Sequence, residues 1–90
     1  MKRIRSAIIR GKRVRIVWRN LSKENVLGYA HQQPHMIEVD TNMDEKLTAD
    51  TLTHEALHIA LPDLDEEAVN QIAIDITTML DRAELLKGDE

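Results

Sequence analysis

The chain has no cysteine and no phenylalanine, and its only large aromatic side chains are Trp18 and Tyr29. Without cysteine there are no disulfides or thiolate metal sites, so histidine and carboxylate groups are the strong metal ligands that remain. The scarcity of aromatic rings disfavours a surface on which single-stranded bases stack. No apolar run reaches the roughly 18 residues of a membrane span, and basic residues interrupt any signal-like N-terminal segment. We therefore expect a single domain over residues 1–90, located in the cytoplasm.

Charge is distributed unevenly along the sequence. Residues 1–23 contain nine basic side chains and no acidic one, whereas residues 24–90 contain sixteen acidic and three basic ones, and the net charge is −4. Such asymmetry is typical of nucleic-acid-binding segments, but it also arises when basic side chains form the solvent face of a strand pair. The sequence leaves both interpretations open.

Alternating apolar residues predict β-strands in the first forty residues. Val14, Ile16 and Trp18 alternate with arginines, which is the pattern of a half-buried strand. We expect turns at Gly11 and around Pro34, because glycine and proline favour turns. The four predicted strands comprise residues 4–9, 13–19, 26–31 and 35–39.

Two helices are predicted after the strands. The first is expected from about Asp44 to Leu61, where Pro62 stops it. Asp65 is a favourable N-cap for the second helix, which is expected over residues 66–87. The predicted apolar stripe of this helix comprises Ala68, Val69, Ile72, Ile76, Met79, Ala83 and Leu86. The fold is therefore predicted to be α+β, with an antiparallel sheet of three to four strands, an active-site helix and a C-terminal glutamate helix.

The first predicted helix contains the motif His54-Glu55-x-x-His58. Residues four apart lie on one helix face, so both imidazoles can bind one Zn²⁺ at about 2.0–2.1 Å. Glu55 projects beside such a metal, where it can take a proton from water. The helix is apolar nearly all round, and polar side chains on a buried helix need partners. We therefore predict one zinc ion per chain with Glu55 as general base, against the ordinary alternative of an amphipathic helix with a polar rim.

A catalytic zinc site usually has three protein ligands, so another residue must join the two histidines. Glu66 and Glu67 are the leading candidates, because a short turn folds the second helix back beside the first. Acidic residues at a helix start also suit the helix dipole and need no metal. Asp63 and Asp65 remain open as well.

The segment from Thr51 to Val69 resembles the core of small zinc metallopeptidases often found in phage and prophage genomes. These are similar to the gluzincins, which share thermolysin-like metal chemistry. The resemblance implies a minimal zincin-like fold and peptidase activity. In short-spacer gluzincins, eight residues separate the second histidine from the third ligand, which implies Glu67, with Glu66 as the alternative. The chain lacks the large C-terminal subdomain of the larger gluzincins.

By analogy with zincins, we expect a peptide substrate to add edge-on to the strand that begins at His35 and ends at Val39. A donor for the developing oxyanion is expected among Tyr29, His31 and His35. The preferred function is hydrolysis of a peptide bond by metal-activated water. The alternatives are a non-catalytic, metal-stabilised binding or regulatory module that uses its basic hairpin on nucleic acid, and a small domain held together without metal.

Overall fold

The structure, a computed structural model, describes residues 1–86. A four-stranded mixed sheet carries one helix on one face, and a second helix packs against the first. The α+β class predicted from the sequence is confirmed. The elements follow in the order β1 (Ser6–Ile9), β2 (Lys12–Arg19), β3 (Gly28–Gln32), β4 (His35–Asp40), α1 (Glu45–Ala60) and α2 (Glu66–Arg82), with a 3₁₀ turn at Ser22–Glu24.

The prediction of an antiparallel sheet is wrong for the central pair of strands. The strand order is β1-β2-β4-β3, and β2 runs parallel to β4, while the two hairpins β1–β2 and β3–β4 are antiparallel. After β2 the chain leaves a place for β4 and forms β3 at the edge of the sheet opposite β1. β4 then fills the place between β2 and β3. Leu21 N donates to Asp40 Oδ1 at 2.9 Å and Thr41 N donates to Arg19 O at 3.2 Å. These bonds fasten the neighbouring ends of the two parallel strands.

The alternation predicted for β2 is confirmed. Val14 and Ile16 are buried, and they join Ile37 and Val39 of β4 and Ile59 of α1 in the core. The side chains between them on β2 face the other side of the sheet, because successive residues of a strand point to opposite faces. The sheet therefore has a buried face under α1 and an outer face that carries the arginines.

The first strand begins two residues later than predicted. The carbonyl oxygen of Ile4 accepts a hydrogen bond from Trp18 Nε1 at 2.8 Å instead of continuing the strand ladder. Residues 1–5 consequently form an N-terminal arm that lies beside the second half of β2.

Both helices begin where the sequence predicts, the first next to Asp44 and the second directly after its predicted N-cap, Asp65. Asp44 accepts a hydrogen bond from Leu47 N, and Asp65 accepts one from Ala68 N, each at 2.8 Å. These side chains satisfy backbone donors that the first helical turn leaves free. The first helix ends at Ala60, two residues before Pro62. None of the helices within residues 1–86 combines the length and the apolar character needed to cross a membrane.

The predicted apolar stripe of α2 is wrong at its C-terminal end. Val69, Ala73 and Thr77, spaced four residues apart, are the buried positions, whereas Met79 is 61% exposed. The buried positions of α2 are those that contact α1. They therefore include Thr77 and exclude Met79. The helix ends at Arg82, and the predicted last residue, Lys87, lies outside the described residues.

Candidate metal centre

The two histidines of the motif lie one turn apart on α1 and point to the same place. Their Nε2 atoms are 3.2 Å apart, and the rings meet edge to face with an interplanar angle of 69°. Both side chains are about three-quarters buried. The four-residue spacing therefore places two imidazole nitrogens together, as the sequence predicts.

Glu66, the first residue of α2, completes this group. Its Oε1 lies 2.8 Å from His54 Nε2, and its Oε2 lies 3.0 Å from His58 Nε2. The turn after α1 brings it there, with Leu61 N bonded to Leu57 O and Leu64 N bonded to Leu61 O. We call His54, His58 and Glu66 the interhelix cluster. Within residues 1–86 this is the group of histidine and acidic residues whose ligand atoms converge closely enough to hold a metal ion.

Glu67, the ligand that the resemblance favours, is not among these contacts. Neighbouring residues on a helix are rotated by about 100°, so only one of the two glutamates can face α1. Both glutamates are exposed, but only Glu66 is turned toward the histidines. Asp65 is engaged as the N-cap of α2, and Asp63 stays outside the cluster.

The interhelix cluster fits a divalent cation such as Zn²⁺. Bonds of about 2.0–2.1 Å in a tetrahedral arrangement place ligand atoms about 3.3–3.4 Å apart. The two Nε2 atoms are 3.2 Å apart, and Glu66 presents a different oxygen to each of them, at 2.8 and 3.0 Å. One ligand atom from each of the three residues lies within 4.8 Å of the other two. The distance between the two nitrogens is that of an N–H···N hydrogen bond in one tautomer, and it also allows both lone pairs to be directed at one cation.

Glu55 lies next to the cluster and has an unpaired carboxylate. The residue is only 8% exposed, and it makes no hydrogen bond with another residue in the described part of the chain. Burial raises the pKa of Glu55, and the nearby His54 and His58 partly oppose this rise. A buried carboxylate with free lone pairs is suited to accept a proton from a water molecule.

Gly28 of β3 makes the space that Glu55 occupies. A Cβ atom at this position would come within 3.0 Å of Glu55 Oε2, 2.9 Å of Thr51 Cγ2 and 2.8 Å of Glu38 O. Such distances are shorter than real Cβ contacts, so any larger residue would displace the carboxylate or the strand. A cleft of about 300 Å³ opens here, and Gly28, Glu55, His54, Asp50 and Asn70 contribute to its lining.

β3 is hydrogen-bonded to α1, and its edge away from β4 pairs with no other strand of the described sheet. Gln32 Nε2 donates to His58 O at 2.8 Å, at the end of β3 opposite Gly28. Asp40 N donates to Leu27 O, so Leu27 and Asp40 form a hydrogen-bonded pair. Hydrogen-bonded and non-hydrogen-bonded pairs alternate along an antiparallel ladder, so every second residue of β3 after Leu27 bonds to β4. The backbone groups of Gly28, Ala30 and Gln32 therefore point away from β4, and no other residue between 1 and 86 pairs with them.

The expectation that a peptide adds to the strand from His35 to Val39 is contradicted by the sheet order. β4 lies between β2 and β3 and is hydrogen-bonded on both sides. An inner strand has no free backbone groups to offer to a peptide. The outermost strands are β1 and β3, and β3 makes the more extensive contact with α1.

Two of the expected oxyanion donors are engaged elsewhere. His31 Nε2 lies 2.7 Å from Glu38 Oε2, and Tyr29 Oη donates to Glu24 at 3.3 Å, both on the outer face of the sheet. Arg19 donates to both of these glutamates, at 2.6 Å to Glu38 and 2.8 Å to Glu24. We call these five residues the outer cluster. His35 is half-buried, and its Nδ1 has no hydrogen-bond partner among the described residues.

Sequence reasoning missed three residues near the candidate centre, namely Gly28, Gln32 and Asp50. Asp50 precedes His54 by four residues and lines the same cleft, and its Oδ1 is buried without a partner in residues 1–86. The repeated four-residue spacing from Asp50 through His54 to His58 is visible in the sequence and could have revealed this aspartate. Gly28 and Gln32 carry no such pattern, because their contacts with α1 are long-range.

Comparisons of the chain with protein-family models, with curated proteins and with solved structures find no match. The function must therefore be argued from the arrangement of the residues themselves.

Proposed function

We propose that this chain is a zinc-dependent peptidase in which His54, His58 and Glu66 bind the metal. The observation that carries the proposal is the position of Glu55, a buried and unpaired carboxylate that shares a cleft with His54, one of the three convergent ligands. A metal that served only stability would need the ligands and would have no use for such a carboxylate. The resemblance of the segment around the motif to small gluzincin-like metallopeptidases supports the same function.

The chemistry divides between the metal and the chain. When bound, Zn²⁺ polarises the scissile carbonyl and makes a nearby water more acidic. Glu55 accepts a proton from the attacking water as its oxygen bonds to the carbonyl carbon. The same carboxyl group then gives that proton to the leaving amine as the carbon–nitrogen bond breaks. No further proton donor is required for the products to form.

The free edge of β3 is the part of this site suited to hold an extended peptide. A peptide alongside it can pair with the outward backbone groups of Gly28, Ala30 and Gln32, as in β-strand addition. Gly28 lies against Glu55 and Gln32 bonds to His58, so a peptide on this edge runs beside both the base and a ligand. The proposed substrate is therefore an unfolded or extended segment of a protein.

The proposal is tested by comparing cleavage of a quenched fluorescent peptide library by the parent chain and by Glu55→Gln. We expect the variant to bind as much zinc as the parent and to lose activity by a factor of about 10² to 10⁴, because it keeps the ligands and lacks the base. Glu38→Gln is the matched control, since it makes the same change on the outer face and should cleave normally.

Two outcomes would contradict this function. Cleavage by Glu55→Gln at the rate of the parent would exclude the proposed base. A zinc-loaded parent that cleaves no member of the library would instead favour the non-catalytic, metal-stabilised module.

A further inference from the structure

The six arginines of residues 1–23 fall into two groups. Arg19 is bound by two glutamates, and Arg10 donates to Ala60 O at 3.0 Å. Arg3, Arg5, Arg13 and Arg15, in contrast, are exposed and form no ion pair with any residue between 1 and 86. Four guanidinium groups are therefore left without an acidic partner in the described part of the chain.

Three of these arginines surround a cleft that the N-terminal arm helps to form. Arg3, Arg5 and Arg15 line a cleft of about 410 Å³ together with Ile16, Val17 and Trp18. We call it the arginine cleft. The arm is held in place by the bond from Trp18 Nε1 to Ile4 O at 2.8 Å and by the bond from Ile16 N to Arg5 O at 2.9 Å. One side-chain and one backbone hydrogen bond thus hold the backbone of the arm that carries Arg3 and Arg5.

The arginine cleft lies on a different part of the sheet from the candidate metal centre. It is formed by β2 and the arm, whereas the interhelix cluster lies between the two helices and beside β3. Of residues 1–86, three arginines and no acidic residue line the arginine cleft. The cleft is therefore a positively charged surface that the proposed peptidase chemistry does not use.

We propose that the arginine cleft binds the phosphate backbone of double-stranded nucleic acid. Guanidinium groups match phosphate oxygens in charge and in geometry, and several unpaired arginines on one surface provide the contacts that dominate such binding.

The cleft favours a phosphate backbone over an acidic protein, because a protein partner needs a buried apolar centre. Here Ile16 is buried in the core, and Val17 and Trp18 are half-buried beneath the arginines. A duplex is favoured over a single strand because the cleft, as residues 1–86 form it, offers no free aromatic ring. Trp18 is hydrogen-bonded to the arm and lies 5.7 Å beneath the guanidinium of Arg3, and it is the single aromatic residue of the described chain that lines the cleft. A base therefore has no open ring there on which to stack.

The test is fluorescence anisotropy with a labelled 20-base-pair duplex of arbitrary sequence, titrated with the full chain between 50 and 200 mM salt. We expect binding at 50 mM salt that weakens steeply as salt is added, since binding releases counterions from the phosphates. The double variant Arg5→Gln/Arg15→Gln should weaken binding about tenfold and reduce the slope of the log–log salt plot by about two.

The matched control is Lys23→Gln/Lys46→Gln, which removes the same charge from exposed sites outside the cleft. It should bind the duplex like the parent, and Glu66→Gln should do so as well, because the metal centre is elsewhere. Absence of binding at 50 mM salt, or an equal loss in both double variants, would overturn the proposal. Tighter binding of a labelled oligoglutamate peptide than of the duplex would also overturn it, in favour of an acidic protein.

Discussion

The molecule contains two clusters of histidine and carboxylate groups, and they differ in how their charges are balanced. In the outer cluster, Arg19 bonds to Glu24 and Glu38, and His31 occupies the remaining oxygen of Glu38. In the interhelix cluster no arginine or lysine of residues 1–86 takes part, and one carboxylate lies against two imidazole nitrogens. The first cluster contains its own cation, whereas the second has none among these residues and could hold a metal ion. The two clusters have similar residue types, and the guanidinium of Arg19 is what distinguishes the first from the proposed metal site.

The largest expected effect that separates the two clusters is stabilisation by zinc. At a free zinc concentration of about 100 times the dissociation constant, binding should stabilise the folded chain by about 2.7 kcal/mol. For a domain of this size, the melting temperature should rise by about 10 °C or more. His58→Ala should abolish the shift, and His31→Ala, which removes a histidine from the outer cluster, should keep it.

Thermal unfolding with and without zinc, followed by circular dichroism, measures this difference. An equal zinc-dependent shift in His58→Ala and in the parent would mean that the metal binds elsewhere. Loss of the shift in His31→Ala would mean that the outer cluster also takes part.

A smaller change in stability is expected from Gly28→Ala. This variant tests whether the missing side chain at Gly28 makes room for Glu55 beside the interhelix cluster. The added methyl group would press on Glu55 Oε2 and on Glu38 O. We expect it to destabilise the fold by about 1–3 kcal/mol and to reduce peptide cleavage per folded molecule about tenfold, through displacement of the base.

Gly11→Ala is the control for Gly28→Ala. Gly11 has φ +77°, so alanine is strained there, but its Cβ would meet no atom within 4 Å. This variant should lose stability and keep its cleavage rate per folded molecule. Unchanged cleavage in Gly28→Ala would show that this glycine does not position Glu55.

The smallest effect concerns the response of the outer cluster to pH. Burial raises the pKa of Glu38, but hydrogen bonds from Arg19 and His31 outweigh it, and the pKa is lowered overall. A group with a lowered pKa stabilises the fold above its unfolded pKa and loses this contribution as the pH falls through the folded value. The free energy of unfolding should therefore decrease below about pH 4.5, by about 0.5 kcal/mol from this partly exposed pair.

Urea unfolding at pH 6 and pH 3 measures this contribution by comparing the parent with Glu38→Gln. The variant should lose less stability than the parent between the two pH values. A loss equal to that of the parent would show that Glu38 contributes nothing to the acid sensitivity.

Local patterns in the sequence were sufficient to predict the helices and part of the interhelix cluster. Asp65 caps the second helix as predicted, the first helix begins next to Asp44 as predicted, and the four-residue spacing of His54 and His58 brings their Nε2 atoms together. Each of these features depends on residues within a few positions of one another. For this reason they are visible before the fold is known.

Features that depend on distant residues were not predicted. The parallel pairing of β2 with β4 requires the chain to form β3 at the far edge of the sheet before β4 is placed next to β2. No local pattern in the sequence indicates this connection. The choice between Glu66 and Glu67 depends on how α2 is rotated against α1, since adjacent residues differ by about 100°. The contact of Gly28 with Glu55 joins residues far apart in the sequence, so only the fold reveals it.

The central claim is that His54, His58 and Glu66 hold a metal ion, and elemental analysis of the purified chain tests it most directly. Zinc per chain should be measured for the parent, for Glu66→Gln and for Glu67→Gln after zinc is supplied and the excess is removed. We predict close to one zinc in the parent and in Glu67→Gln, and little in Glu66→Gln. Zinc retained in Glu66→Gln and lost from Glu67→Gln, or a folded parent that binds none, would contradict the account.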